Sequence, residues 1–247
     1  QCFERGSVKN TYGTGCFMLM NTGNKPHPSK HGLVTTIAWG YQGEITYALE
    51  GSVFVAGSAV QWLRDQLKFF KTAKESEKLA LSAKEEHELI VVPAFVGLGA
   101  PYWDNDCKGA MFGITRGTSK EDMTKATLDS IAYQNRDILD AMKEDSGIAI
   151  QSLRVDGGAS ANDYLMQFQS DIMQCAIERP ENVESTALGA AYLAGLAVGY
   201  WTNLEEIKKE RSSHIFIPTM KVSDVNELYE RWQKAVNCAR MFTKNEE

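Results

Sequence analysis

The chain has 247 residues, 43% apolar and 23% charged, with 26 Lys and Arg against 32 Asp and Glu for a net charge of −6. A chain of that size can bury a core, and its acidic excess argues against nucleic acid or an anionic membrane as main partner, because both attract clustered Lys and Arg. No apolar run nears the ~20 residues that span a bilayer, and Gln1-Cys2-Phe3-Glu4-Arg5 lacks the basic-then-apolar order of a signal peptide.

In chain order, Lys9–Met20 reads as a hairpin turning at Gly13-Thr14-Gly15, with a nearly all-apolar second arm. Leu33–Trp39 and Glu44–Leu49 form a second β-pair around Gly40–Gly43. Strands in a row before any helix predict an α/β domain whose mixed sheet opens with an antiparallel meander and is flanked by helices. After Gly51 the spacing of Val55, Ala59, Trp62, Leu63 and Leu67 predicts a helix capped by Ser52. Gly57 falls inside it, either for close packing or for room beside a ligand, and Gln61 follows one turn later on the same face.

A short charged helix is expected over Thr72–Lys84, then a buried strand over Leu89–Phe95 running into the loop Gly97–Asp106. Asp104 and Asp106 in that loop are read as turn formers. Ala110–Ile114 is a further strand, and Ser119 caps a long helix to about Lys143, with Glu121 and Asp122 in its first turn. Cys175–Ile177 is a short strand ended by Pro180. The small residues of Glu184–Gly195 predict a helix packed close to another backbone, and Val222–Phe242 a docked terminal helix.

The organising stretch is Leu153–Asn162: a short strand, the turn Gly157-Gly158, and a helix opened by Asn162. Adjacent glycines leave no Cβ to block a ligand pressed on the turn. The helix start that follows suits phosphate or another electron-rich group. A lone Gly-Gly turn only reverses the chain, but the second turn at Gly13-Thr14-Gly15 suggests paired backbone cradles for one nucleotide.

The five cysteines, Cys2, Cys16, Cys107, Cys175 and Cys238, are scattered without a Cys-x-x-Cys pair, as expected of reduced thiols in the cytoplasm. Cys16 reads as a small packed residue. His27, His31, His87 and His214 lack metal-ligand spacing, so no metal site is expected. A start at Gln1 rather than Met reads as a piece of something longer.

On Lys9–Phe17, Tyr47–Val53 with Gln61–Asp65, Val92–Phe95 with Gly97–Trp103, Arg154–Gly158 with Asn162, and Thr186–Ala191, the sequence resembles the carboxy-terminal half of the FGGY carbohydrate kinase family. It is most similar to the members that phosphorylate glycerol. The resemblance runs from Gln1 to about Lys234. It implies an actin-like ATPase, ribonuclease H-like domain over 1–247, with the amino-terminal domain of the same protein outside this chain.

It also implies ATP or ADP in the cleft between the two domains. Thr14 would sit in the phosphate hairpin with Gly13 and Gly15, while Gly57, Gln61, Gly158 and Asn162 line the nucleoside side. Phe17 would wall the glycerol carbons. The catalytic base would lie in the other half, and Mg2+ would be held mainly by the nucleotide and that half. The full-length protein is expected to be a homo-oligomer, and this chain alone to bind nucleotide weakly without turnover. Related sugar kinases and a non-catalytic actin-like assembly module are the competing readings.

Overall fold

The computed structural model describes residues 2–84, 88–182, 184–208 and 212–243, so Gln1 and His87 lie outside the described residues. The first half holds β1 (Val8–Tyr12), β2 (Cys16–Gly23), β3 (Val34–Tyr41), β4 (Glu44–Val53), α1 (Gly57–Asp65), α2 (Glu75–Leu81), β5 (Ile90–Val92), β6 (Ala110–Phe112) and α3 (Lys120–Ser146). The second holds β7 (Ser152–Asp156), α4 (Asp163–Met173), β8 (Ala176–Pro180), α5 (Ser185–Ala197), α6 (Leu204–Lys208), β9 (Ser213–Phe216) and α7 (Val222–Thr243).

Seven strands make one mixed sheet in the order β3-β4-β2-β1-β7-β8-β9, while β5 and β6 pair separately. β1 runs parallel to β7, with Thr11 opposite Asp156, and β7 runs parallel to β8. Four antiparallel strands open the sheet as expected, but not in simple meander order. β4 pairs with β2, and β3 takes the outer edge. The connection between β2 and β3 is long enough to step over a strand, and α3 holds it down. Asp145 near the end of α3 accepts from the Ser29 hydroxyl and, at 2.8 Å, from the Lys30 N–H.

α3 is the spine. Ser119 and Asp122 close a capping box at its start, and Gly147 ends it in the left-handed conformation at φ 65°. Its buried residues pack with α4 against one face of the sheet, where Val8, Tyr12, Cys16, Met18, Leu153 and Val155 converge. The opposite face carries the alternate residues Lys9, Thr11, Phe17 and Arg154, all partly or fully exposed.

Two local expectations change. Ser52 does not cap a helix: it lies in β4 opposite Phe17, because pairing with β2 carries that strand on to Val53. The helix begins at Gly57 instead. The small-residue helix α5 is not pressed against another backbone either. It has no buried residue, and Gly189 has nothing within 4 Å. What crowds Gly195 is the ring of Trp201, part of a local aromatic cluster with Tyr192 and Tyr200. In the loop, Asp104 is the turn former it was read as: its carboxylate accepts the Cys107 N–H at 3.0 Å and the Arg240 guanidinium at 3.0 Å.

A candidate nucleotide site at the carboxyl end of the sheet

In sheets with parallel strands, ligands collect beyond the carboxyl ends, where the chain leaves the sheet. Here β1 and β7 end side by side. From β1 the chain turns through Gly13-Thr14-Gly15, with Tyr12 and Cys16 as the closing cross-strand pair and the Gly13 N–H bonded to the Gly15 carbonyl at 2.8 Å. From β7 it turns through Gly157-Gly158 into a short 3-10 turn and then α4. Gly157, at φ +85°, lies on the backbone of Tyr12: a Cβ there would stand 2.4 Å from the Tyr12 carbonyl oxygen. The two turns are therefore in direct contact.

The start of α1 closes on the hairpin from another side. The Gly13 carbonyl accepts the Gly57 N–H at 3.1 Å, while the Thr14 carbonyl accepts the N–H groups of Ala56 at 2.9 Å and Ser58 at 3.1 Å. The Ser58 hydroxyl also donates to the Thr14 carbonyl, at 3.0 Å. Close packing accounts for Gly57, since an added Cβ would sit 2.4 Å from the Gly13 oxygen. Helix-start N–H groups that usually lack partners are thus spent on the turn. That aims the hairpin's carbonyls into the protein and leaves Gly13 and Thr14 on the exposed side.

Gln61 is exposed one helical turn beyond Gly57. Gly158 is exposed with nothing within 4 Å of a built Cβ, so a flat group can lie over it. Asn162 is half-buried and already engaged. Its Oδ1 accepts the Leu165 N–H at 2.9 Å as the cap of α4, and its Nδ2 reaches Ser76 Oγ of α2 at 3.4 Å. Phe17 stands 47% exposed on the sheet face away from α3 and α4, between Thr11 and Ser52 on the neighbouring strands. Gly13, Thr14, Gly15 and Gly57 thus form one contact unit and Gly157 joins it, whereas Asn162 and Gln61 stand on separate helices, α4 and α1.

Sequence reasoning missed Ser58 and Ser76. It also missed the polar groups beneath the hairpin: the Tyr12 hydroxyl donates to Gln169 Oε1 at 2.7 Å, and Asn135 Nδ2 donates to the same oxygen at 3.0 Å. One signal was available, since Asn10 is a polar residue at an inward position of β1 between Val8 and Tyr12. Burial pushes the Cys16 thiol up to about 12, against the opposing effect of Asn135 and Asn10. It is a packed, unreactive group, as its surroundings in the sequence suggested.

Among the described residues, no group of three or more His, Cys, Asp or Glu side chains could hold a metal ion, and no helix is long and apolar enough to cross a membrane. A separate cavity of about 770 Å³ lies among α2, α3, α4 and β9, lined by Tyr133, Tyr164, Phe168 and Phe216. None of the turn residues borders it.

A mixed sheet backed by helices, with two backbone turns in contact beyond adjacent parallel strands, is a domain of the actin-like ATPase fold. Residues 8–198 match the family described as "FGGY family of carbohydrate kinases, C-terminal domain", and the chain belongs to that family. Over 242 residues, 98% of this chain, it is 62% identical to a protein of Bacillus licheniformis named glycerol kinase. A Pediococcus pentosaceus protein of the same name is 60% identical over 97% of the chain. The chain spans about half the length of these relatives, 49% and 48% respectively.

Among solved structures, Plasmodium falciparum glycerol kinase with ADP superposes with a TM-score of 0.89 at 38% identity, covering 100% of this chain and 49% of that one. Gluconate kinase from Lactobacillus acidophilus superposes at 0.82 with 21% identity over 97% of this chain and 48% of its own, a likeness of fold alone.

Proposed function

We propose that residues 1–247 are the carboxy-terminal, nucleotide-binding domain of a cytoplasmic ATP:glycerol 3-phosphotransferase, which converts ATP and glycerol into ADP and sn-glycerol 3-phosphate. One observation carries the reading. The hairpin turn, the start of α1 and the Gly157 turn meet in a single backbone contact unit, in a chain 62% identical to a protein named glycerol kinase. The solved relative named with ADP supports the choice of nucleotide.

Each residue's part follows from its geometry. The exposed Gly13 and Thr14 offer a hydroxyl and bare backbone, which can approach phosphate oxygens closely, while Gly15 is buried against the Val53 carbonyl. Gly158 admits the purine, with Gln61 along the nucleoside side, while Gly57, lacking a Cβ, lets the start of α1 close on the hairpin. Asn162, whose oxygen caps α4 and whose Nδ2 reaches Ser76, has a second N–H to offer a ligand. Phe17 gives the glycerol carbons an apolar wall.

Phosphoryl transfer needs positioning, charge neutralisation and a base in register. This domain positions. The base and most polyol contacts belong to an amino-terminal domain of the same protein, and the full-length protein is a homo-oligomer. Mg2+ would be held mainly by the nucleotide and by that other domain, where it would neutralise phosphate charge during transfer.

The test is a substrate panel on the full-length gene product. Glycerol should be phosphorylated in preference to gluconate and pentuloses, while residues 1–247 alone should bind ADP weakly and turn over nothing. Preference for a sugar acid or a ketose would overturn the assignment of glycerol.

A further inference from the structure

Gly13 and Thr14 are exposed, but the residues that carry the turn are not: Tyr12 and Cys16 are both 0% exposed. Beneath them lies a polar cluster in an otherwise apolar core. The Tyr12 hydroxyl and Asn135 Nδ2 share Gln169 Oε1, at 2.7 and 3.0 Å, and Gln169 Nε2 is fixed by the Ala132 carbonyl at 3.0 Å. Asn135 Nδ2 also lies 3.7 Å from Cys16 Sγ. The Asn10 amide faces Tyr12 and Cys16. Both its polar atoms, and Asn135 Oδ1, are buried without a hydrogen-bond partner among the described residues.

Polar atoms in a core are costly, and apolar replacements of the same shape are frequently no worse for stability. What hydrogen bonds supply and apolar contact does not is direction. Gln169 belongs to α4, the helix that Asn162 opens. The Tyr12–Gln169 bond therefore ties the stem of one turn to the helix at the other. We propose that Tyr12 and Gln169, braced by Asn135, are positioning residues that set the phosphate-side hairpin against the nucleoside side of the site. The proposal rests on the nucleotide reading above. On it, loosening the Tyr12–Gln169 link lets the hairpin drift from the phosphates while the purine seat over Gly158 stays in place.

The test compares ADP with adenosine on the full-length gene product, using Tyr12→Phe, which removes only the hydroxyl, Gln169→Leu, and the double variant. ADP affinity should fall roughly three- to tenfold in Tyr12→Phe, the worth of one directed hydrogen bond, and at least as far in Gln169→Leu, which also releases Asn135 and the Ala132 carbonyl. Adenosine affinity should stay within about twofold, because adenosine lacks the phosphates that the hairpin faces. The double variant should be no worse than Gln169→Leu alone, since that substitution already removes the Tyr12–Gln169 bond.

Parallel losses for ADP and adenosine would mean a merely structural role and overturn the proposal. So would unchanged ADP affinity, or strictly additive effects. Failure of the unsubstituted protein to bind ADP at all would instead defeat the nucleotide reading and this inference with it. Should Gln169→Leu not fold, Tyr12→Phe with the two ligands decides alone.

Discussion

The Gly13 carbonyl accepts the Gly57 N–H at 3.1 Å, and a Cβ on Gly57 would stand 2.4 Å from that same oxygen. The start of α1 and the hairpin turn are thus held backbone to backbone, with no side chain between them to yield. Gly57→Ala must push the two apart. Overpacking of this kind costs about 1–3 kcal/mol, read as a lower denaturant midpoint, and ADP titration should show weaker binding in the same variant.

Gly158 is the opposite case, exposed with nothing within 4 Å of an added Cβ. Gly158→Ala should leave stability within about 0.5 kcal/mol, as for an ordinary surface change, yet weaken ADP by intruding on the proposed purine seat. Gly157→Ala should be clearly destabilising, at φ +85° with the Tyr12 oxygen 2.4 Å away. Thermal unfolding beside nucleotide titration separates the two neighbours.

Asn162 has an observed duty as the cap of α4 and a proposed one toward the nucleotide, which substitution can divide. Asn162→Ala removes the cap of α4, worth about 1 kcal/mol. Asn162→Ser keeps a capping oxygen in place of Oδ1 and lacks the amide nitrogen. If that nitrogen serves the nucleotide, the Ser variant should unfold near the unsubstituted midpoint and still bind ADP less tightly.

Much of this was legible in the sequence, and for reasons that can be named. Glycines in pairs, the Ser119 cap and the periodicity of α3, α4 and α7 are local signals, and those elements stand close to where they were expected. Strand order was not legible. Nothing in the composition of β3 says that β4 will come between it and β2, because that choice depends on a long loop pinned by Asp145 at the far end of α3. The meeting of Tyr12 with Gln169 across 157 positions is hidden for the same reason. α5 misled because small residues are as compatible with an exposed helix as with a packed one, and its periodicity carries no burial signal.

Asp137 anchors the terminal helix. Its carboxylate accepts from the Tyr229 hydroxyl at 2.6 Å and Trp232 Nε1 at 2.9 Å, and burial pushes it up from 3.8 to about 7 in spite of those donors and Tyr102. Between those limits the folded chain holds a proton that the unfolded chain has released, so this group's contribution to stability falls as pH rises from about 4 to 7. Asp104 and Asp145, whose carboxyls are held below the usual range by Arg240 and by Ser29, run the other way and lose their contribution only in acid. Chemical denaturation of Asp137→Asn against the unsubstituted protein should show a gap that shrinks from pH 5 to pH 8. A constant gap would contradict the assignment.

The cysteines differ in reach. Cys238 is exposed, whereas Cys2, Cys16, Cys107 and Cys175 are buried, with burial pushing Cys16 to about 12 and Cys175 to about 11. A thiol reagent at neutral pH should therefore label Cys238 in the native state and the other four only after unfolding, a difference that peptide mapping reads directly.

The central claim is that the turns at Gly13-Thr14-Gly15 and Gly157-Gly158 form the two sides of one nucleotide site. The most direct measurement is a crystal structure of the full-length protein with ADP. The account predicts the purine over Gly158, between Gln61 and Asn162, with the phosphates against Thr14. ADP bound in the cavity lined by Tyr164 and Phe168, or anywhere else away from the two turns, would contradict it.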